Sequence, residues 1–378
     1  MHLAGRLRGL GRDVAVEPVT VWPNWALTHL IHALLAIAGS VVSVSAPAIG
    51  LLLVFVAAVS TLADLTGTAF LVRRLTGRRA SQNVVSGEDR GKPGTLVLVA
   101  HYDAARAGAL FSPRAVERRA ALGQRIGRPI APAAILFWSI VAILICAGLR
   151  VAGVESDLLT AAQFVPTVLL IISVPLLADV QLSSFVPGAA DNASGVATAL
   201  RLAERFGGRL DHLDLWVVFT GAQEGMALGM RAWLKAHRAE LPPEATVVLN
   251  VDQVSNGTVR FATREGFVLT SRFHPQVLGL CRDIARDDEE PRRFAARPVV
   301  SRLTSDAYAA RTRGYPATTI SCLNSLDYTP GYHQPEDTAE RVEPEALERA
   351  FGFTSDLIER IDQQIGPAIG GDEGAAGA

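Results

Sequence analysis

The sequence predicts an α/β protein, a mainly parallel mixed sheet flanked by helices, to which about four transmembrane helices are added. Two observations carry this. Short apolar, β-branched-rich runs at Thr95–Ala100, Leu213–Thr220, Ala245–Val251 and Ala317–Ser321 alternate with helical patterns, as strands covered on both faces do. Four further apolar stretches are long enough to cross a bilayer, and a mean hydropathy of +0.26 with 19% charged residues is too apolar for a purely soluble chain of 378 residues.

The first two spans, Trp25–Ser45 and Ile49–Val72, are joined by an uncharged SVSAPA turn, which reads as a hairpin through the bilayer. A cleaved signal peptide does not fit, because no small-residue cleavage site is evident and the second apolar run arrives at once. His29 and His32 lie one turn apart on the first span, and Asp64 lies at comparable depth on the second, so an interhelical hydrogen bond is expected there rather than a proton or metal site. The second pair of spans is Ala131–Leu149 and Leu158–Val180, the latter interrupted by Pro166 and Pro175. Buried core helices of a soluble protein are the competing reading.

Cations set the expected orientation. Arg6, Arg8 and Arg12 precede the first span, Arg73, Arg74, Arg78 and Arg79 follow the second, and Arg114, Arg118, Arg119, Arg125 and Arg128 precede the third. The hairpin tips are nearly free of them, so the basic loops, and the soluble domain with them, are expected on the cytoplasmic side of the plasma membrane. Ser112-Pro113 can start a helix whose RAVERRAALGQRIGR continuation suits either an anionic lipid surface or plain solvent.

Beyond the spans, Ala193, Val196, Ala197, Leu200 and Ala203 recur at helical spacing, and Gly207-Gly208 closes the segment. The domain organisation that follows is a membrane hairpin over 1–80, a soluble domain from 81–103 and 182–366, an insertion with a basic helix and second hairpin over 104–181, and a disordered Gly/Ala-rich tail over 367–378. With 36 Lys+Arg against 37 Asp+Glu and no basic patch, nucleic-acid binding is set aside. Cys146, Cys281 and Cys322 are too scattered for a metal knuckle or a disulfide framework, which suits a reducing compartment.

Carboxylate and imidazole residues that could hold metal are His101, Asp191, Glu224, Asp252 and His333, and His101, Glu224 and Asp252 stand at the carboxyl ends of apolar strands, where α/β sheets gather their ligands. Such donors suit a pair of divalent metals sharing one carboxylate. Asp103 is placed to orient the His101 imidazole, or is a turn aspartate. Asp337-Thr338 is expected to cap a helix near Ala339, and Ser305-Asp306 either lines the site or caps a helix.

The ordered motifs HYD, GAADNASG, QEGMALG, LNVD, TSDAYAARTRGYPATT and GYHQPEDT resemble those of the two-zinc aminopeptidase family, the zinc exopeptidases that include bacterial leucyl aminopeptidases and glutamate carboxypeptidase. The resemblance runs from about Asn83 to Ile365 around one large insertion. It implies two zinc ions, one held by His101, Asp191 and Asp252, the other by Asp191, Glu224 and His333, with Asp191 bridging. It also implies a peptide or amide substrate, here next to a lipid bilayer.

One residue departs from the pattern. Where the family carries a glutamate that takes and returns a proton, this chain has Gln223, whose neutral amide can hydrogen-bond but has no accessible proton-accepting pKa. A degenerate peptidase, an enzyme that recruits its base elsewhere and a deliberately inactivated variant are all compatible with that. The expected protein is a membrane-bound zinc peptidase, or a catalytically inactive metal-binding scaffold. No residue here must grip a free amine or carboxylate, so the polarity of cleavage stays open, as does the oligomeric state.

Overall fold

The computed structural model describes residues 2–288 and 293–371. Among them, nine strands form one sheet: β1 (Ala15–Val21), β2 (Arg79–Ser86), β3 (Gly94–His101), β4 (Leu213–Thr220), β5 (Thr246–Val251), β6 (Thr258–Glu265), β7 (Ser271–Arg272), β8 (Arg297–Ser301) and β9 (Ala317–Leu323). Their spatial order is β1-β2-β4-β3-β5-β9-β6-β7, with β8 also on β6. The centre, β4-β3-β5-β9, is parallel, and its strands are those foreseen from their apolar runs. Every residue of β5 is buried, which explains why it reads as a continuous apolar run rather than an alternating one.

The edges were not foreseen. Both β1 and β2 carry polar residues, and Pro18 is tolerated because β1 is an outer strand. They pair antiparallel from Ala15 opposite Val85 to Val21 opposite Arg79. This corrects the assignment of 1–80 to the membrane hairpin: β1 belongs to the sheet, and Ala4 and Leu7 of α1 (His2–Gly9) sit in the core of the soluble domain. The first pair of apolar helices is therefore the connection between two neighbouring strands.

Four helices among the described residues are long and apolar enough to cross a membrane: α2 (Trp25–Ser45), α3 (Pro47–Thr66), α5 (Pro132–Val151) and α6 (Asp157–Leu182), with the basic α4 (Pro113–Arg125) between the pairs. The second stops at Thr66, short of the expected Val72, because Gly67 takes the left-handed conformation (φ +68°) that terminates a helix. The fourth runs through Pro166 and Pro175 without ending. The two hairpin helices approach so closely at Gly50 that any side chain there would collide with the Ser43 backbone.

The hairpin is tied to the sheet domain by a buried ion pair. Arg73 grips Asp64 of α3 through both nitrogens, Nε to Oδ1 at 2.8 Å and Nη2 to Oδ2 at 2.6 Å, while its Nη1 donates to the Gly225 carbonyl at 2.8 Å. Beside it, His29 Nε2 comes 3.4 Å from Asp64 Oδ2 without the hydrogen bond expected there, and the interhelical hydrogen bond joins His32 Nε2 to Ser60 Oγ instead, at 2.8 Å. Leu65, Phe137, Met226 and Val268 bury one another where the helices meet the 222–227 loop.

The remaining helices complete the soluble domain: α7 (Ser194–Phe206), α8 (Leu228–Ala236), α9 (Pro275–Arg286), α10 (Asp306–Arg311), α11 (Pro344–Gln364) and α12 (Gly366–Gly371). Contacts join α11 to α7 and α9, and α10 to α8. The tail expected to be disordered from 367 begins instead as α12, with Ile369 packed against the core, and 372–378 lie outside the described residues.

Candidate metal centre

The carboxyl ends of the parallel strands bring all five proposed ligands together. His101 ends β3 opposite Thr220, the last residue of β4. Asp252 directly follows β5, Glu224 lies in the loop after β4, Asp191 precedes α7, and His333 comes from the loop after β9. Asp191 stands between the two histidines: its Oδ1 is 3.2 Å from His101 Nε2 and its Oδ2 is 3.2 Å from His333 Nε2. Asp252 Oδ1 lies 3.4 Å from His101 Nε2, and Glu224 Oε2 lies 3.3 Å from His333 Nε2.

These separations fit a cation. Donors at about 2.0–2.2 Å from a tetrahedral zinc stand about 3.3–3.6 Å from one another. Ligand atoms of His101, Asp191 and Glu224 all lie within 4.8 Å of one another. The chemistry of the leftover atoms agrees, since Glu224 Oε1, Asp252 Oδ1 and both ring nitrogens of His333 are buried without a hydrogen-bond partner. A divalent ion would satisfy Nε2 of His333 and the carboxylates at once.

The supports differ from those expected. Asp103 does not hold His101 through its carboxylate, which lies 3.6 Å from Nδ1, beyond a hydrogen bond; its backbone carbonyl does, at 3.1 Å. The carboxylate instead accepts from the backbone N–H groups of Gln223 (2.9 Å) and Glu224 (3.1 Å), so it fixes the loop bearing the second ligand. Asp337 does not cap the turn at Ala339; its carboxylate accepts from the N–H groups of Ala190 (2.6 Å) and Asp191 (3.1 Å). Sequence reading passed over Asn192, whose Oδ1 accepts from Gly195 and Gln253, each at 3.0 Å, tying the Asp191 turn to the Asp252 loop. Its place directly after Asp191, within the GAADNASG motif, was the signal for it. The His333 ring is held by aromatic faces, with the Tyr332 ring stacked at 3.8 Å and the Phe111 ring edge-on at 4.5 Å.

Backbone strain concentrates here too. Ala222, Met226 and Ala227 flank Gln223-Glu224 with φ of +56°, +79° and +53°, and His333 itself has φ +55°. Such left-handed non-glycine residues persist where the surroundings over-determine them, commonly at functional sites.

Charge is balanced between the two kinds of ligand. Burial would lower the pKa of His101, but the carboxylates of Asp103, Asp191 and Asp252 raise it well above the usual value. Burial likewise opposes and Glu224 and Asp191 overcome it at His333, which is pushed up to about 9. The histidines in turn hold Asp191 far below the usual carboxylate range against its burial, while burial raises Glu224.

Gln223 faces the same cavity, and its Nε2 donates to the Thr304 carbonyl at 2.9 Å. Ser305 caps α10, accepting from the Tyr308 N–H. It also donates to Glu265, a carboxyl the sequence reading missed; burial pushes Glu265 up to about 7 despite Ser305 and Thr319. Asp306, bonded to Thr220, is pushed to about 7 by the same cause.

Fold and site together define the zinc exopeptidase-like class. Residues 173–358 match the model of Peptidase family M28. In fold it is similar to a glutaminyl cyclase of Tannerella forsythia (TM-score 0.52, 15% identity, 95% of this chain and 88% of that one). It is also similar to a Zn-dependent exopeptidase of Parabacteroides distasonis (TM-score 0.51, 13% identity, 96% of this chain and 88% of that one). An aminopeptidase from Aneurinibacillus sp. strain AM-1 aligns at TM-score 0.44 and 15% identity over 75% of this chain and 48% of its own, so the chain spans about half the length of that relative. No curated protein matches the chain.

Proposed function

We propose that this is a membrane-bound, zinc-dependent hydrolase of peptide or amide bonds with two zinc ions bridged by Asp191. The observation that carries the reading is the Asp191 carboxylate, each of whose oxygens faces a different histidine at 3.2 Å. His101, Asp191 and Asp252 would hold one ion, and Asp191, Glu224 and His333 the other. Bound zinc supplies Lewis acidity toward the carbonyl and a water activated near neutral pH. Asp103 and Asp337 hold the ligand-bearing loops in place by their backbone hydrogen bonds. Gln223 can orient a water or a substrate carbonyl, but it cannot accept the proton, so turnover is expected to be slow.

A second reading is favoured by Gln223 itself: a metal-stabilised pseudopeptidase that binds peptides or amides, or acts as a membrane scaffold, without cleaving. The soluble domain is proposed to face the cytoplasm at the plasma membrane, supported by the arginines that flank α2, α3 and α5.

Metal content by mass spectrometry and kcat/KM of the native chain and a Gln223→Glu variant test both readings. Two zincs per chain are expected, with the variant faster by about 10²- to 10⁴-fold, the usual contribution of a general base. Two zincs with no hydrolysis of a peptide library by either form would leave only the second reading. Absence of metal would overturn both.

A further inference from the structure

The metal ligands open into a cavity of about 740 Å³ that does not end within the soluble domain. Asp191, Glu224, Asp252 and His333 line one part of it, and Leu136 of α5 with Leu169, Ile172, Ser173 and Leu176 of α6 line another. Leu169 and Ile172 are also 43% and 53% exposed, on a helix apolar enough to lie in lipid. The same two side chains thus border both the cavity and the surface that would meet acyl chains.

We propose that this cavity receives an aliphatic acyl chain attached to the scissile amide, and that the substrate class is a long-chain N-acyl amide drawn from the bilayer. This rests on the hydrolase reading above. Size excludes a transmembrane helix: the cavity falls within the range of about 300–1,000 Å³ that holds small ligands, whereas a helix is about 10–12 Å across along its whole length. Chemistry disfavours an extended peptide. Its backbone N–H and C=O groups would need partners in that apolar wall, and the Ser173 hydroxyl is already committed to the Leu170 carbonyl at 2.7 Å. An acyl chain brings no such groups. Arg119 and Arg302 line the same cavity and suit an anionic headgroup on the amine side. In the reaction, water adds to the acyl carbon and the C–N bond breaks; the oxygen leaves with the fatty acid and the water proton goes to the amine.

The test uses the full chain in lipid nanodiscs, with binding of N-hexadecanoyl-leucine, N-acetyl-leucine and N-acetyl-trileucine compared in the native protein and in Leu169→Trp and Ile172→Trp variants. Each tryptophan is expected to weaken binding of the hexadecanoyl compound ten-fold or more. Zinc content and N-acetyl-leucine binding should stay within two-fold, which also reports that the variants fold. Equal effects on the long and acetyl compounds, no effect on either, or a variant-sensitive site for trileucine alone would overturn the proposal. Leucine release is read separately. Variant-sensitive binding with zinc present but no leucine released would sink the hydrolase reading and leave the ligand class standing. Cleavage of short peptides without variant-sensitive binding would do the reverse.

Discussion

The Gln223 amide donates to the Thr304 carbonyl oxygen at 2.9 Å, so a glutamate in the same rotamer would set a carboxylate against that oxygen. The Gln223→Glu side chain must therefore turn toward the metal ligands or stay protonated, and the gain in turnover should grow with pH as it ionises. Asp337 is the next residue to probe. Its replacement by alanine leaves the N–H groups of Ala190 and Asp191 without their acceptor, at a cost of about 1–3 kcal/mol each, and zinc affinity should fall about 10- to 100-fold as it does when supports of metal ligands are lost. Thermal unfolding and zinc titration read the two effects. Glu265 sets a pH dependence. Burial raises its folded pKa to about 7 from an ordinary 4.5, so the stability tied to its neutral form is complete below pH 4.5 and is lost as pH rises through 7. A difference of that size is worth about 3 kcal/mol, and thermal unfolding across this window should flatten in Glu265→Gln. The cluster of candidate ligands was legible in the sequence because each follows an apolar strand run or falls in a recognisable motif. The roles of Asp103 and Asp337 were not, because their carboxylates act on backbone amides that are 120 and 147 residues away at Gln223 and Ala190.

Among the elements, the short turn Val72–Leu75 after α3 links the apolar helices to the sheet domain through Arg73. Arg73 is fully buried and joins Asp64 of the apolar helix α3 to the carbonyl of Gly225, the neighbour of the candidate ligand Glu224. Asp64→Asn removes one charge of a buried pair and is expected to destabilise by about 3–5 kcal/mol, with loss of zinc alongside. The double variant Asp64→Leu/Arg73→Met should lose less than Asp64→Asn, because no unpaired charge is left; unfolding and metal content of purified protein compare them. The central strands were legible because their apolar runs are buried on both faces, and the four apolar helices because their runs are long. The edge strands β1 and β2 were not, since half-polar sequence with a proline carries little strand signal. Arg73 was read as one of a run of flanking cations, and nothing local distinguishes it from Arg74.

For the whole molecule, orientation is the property that the arginine distribution argues and that labelling can check. Cys146, Cys281 and Cys322 are buried, so a single introduced thiol reports cleanly. Arg286→Cys on α9, where the native side chain is 72% exposed, should react with a membrane-impermeant maleimide in inside-out vesicles and not in right-side-out ones. The reverse pattern would place the metal centre on the outer face.

The chain leaves the sheet at Val21 for the apolar hairpin of α2 and α3 and returns at Arg79, residues that face each other across one ladder. During synthesis β1 can find its partner only after both apolar helices have emerged and the chain has come back. Completion of the sheet edge thus waits on the placement of both apolar helices. If the two helices cross a bilayer, a chain in which only one of them inserts leaves β1 and β2 on opposite sides and cannot close that ladder.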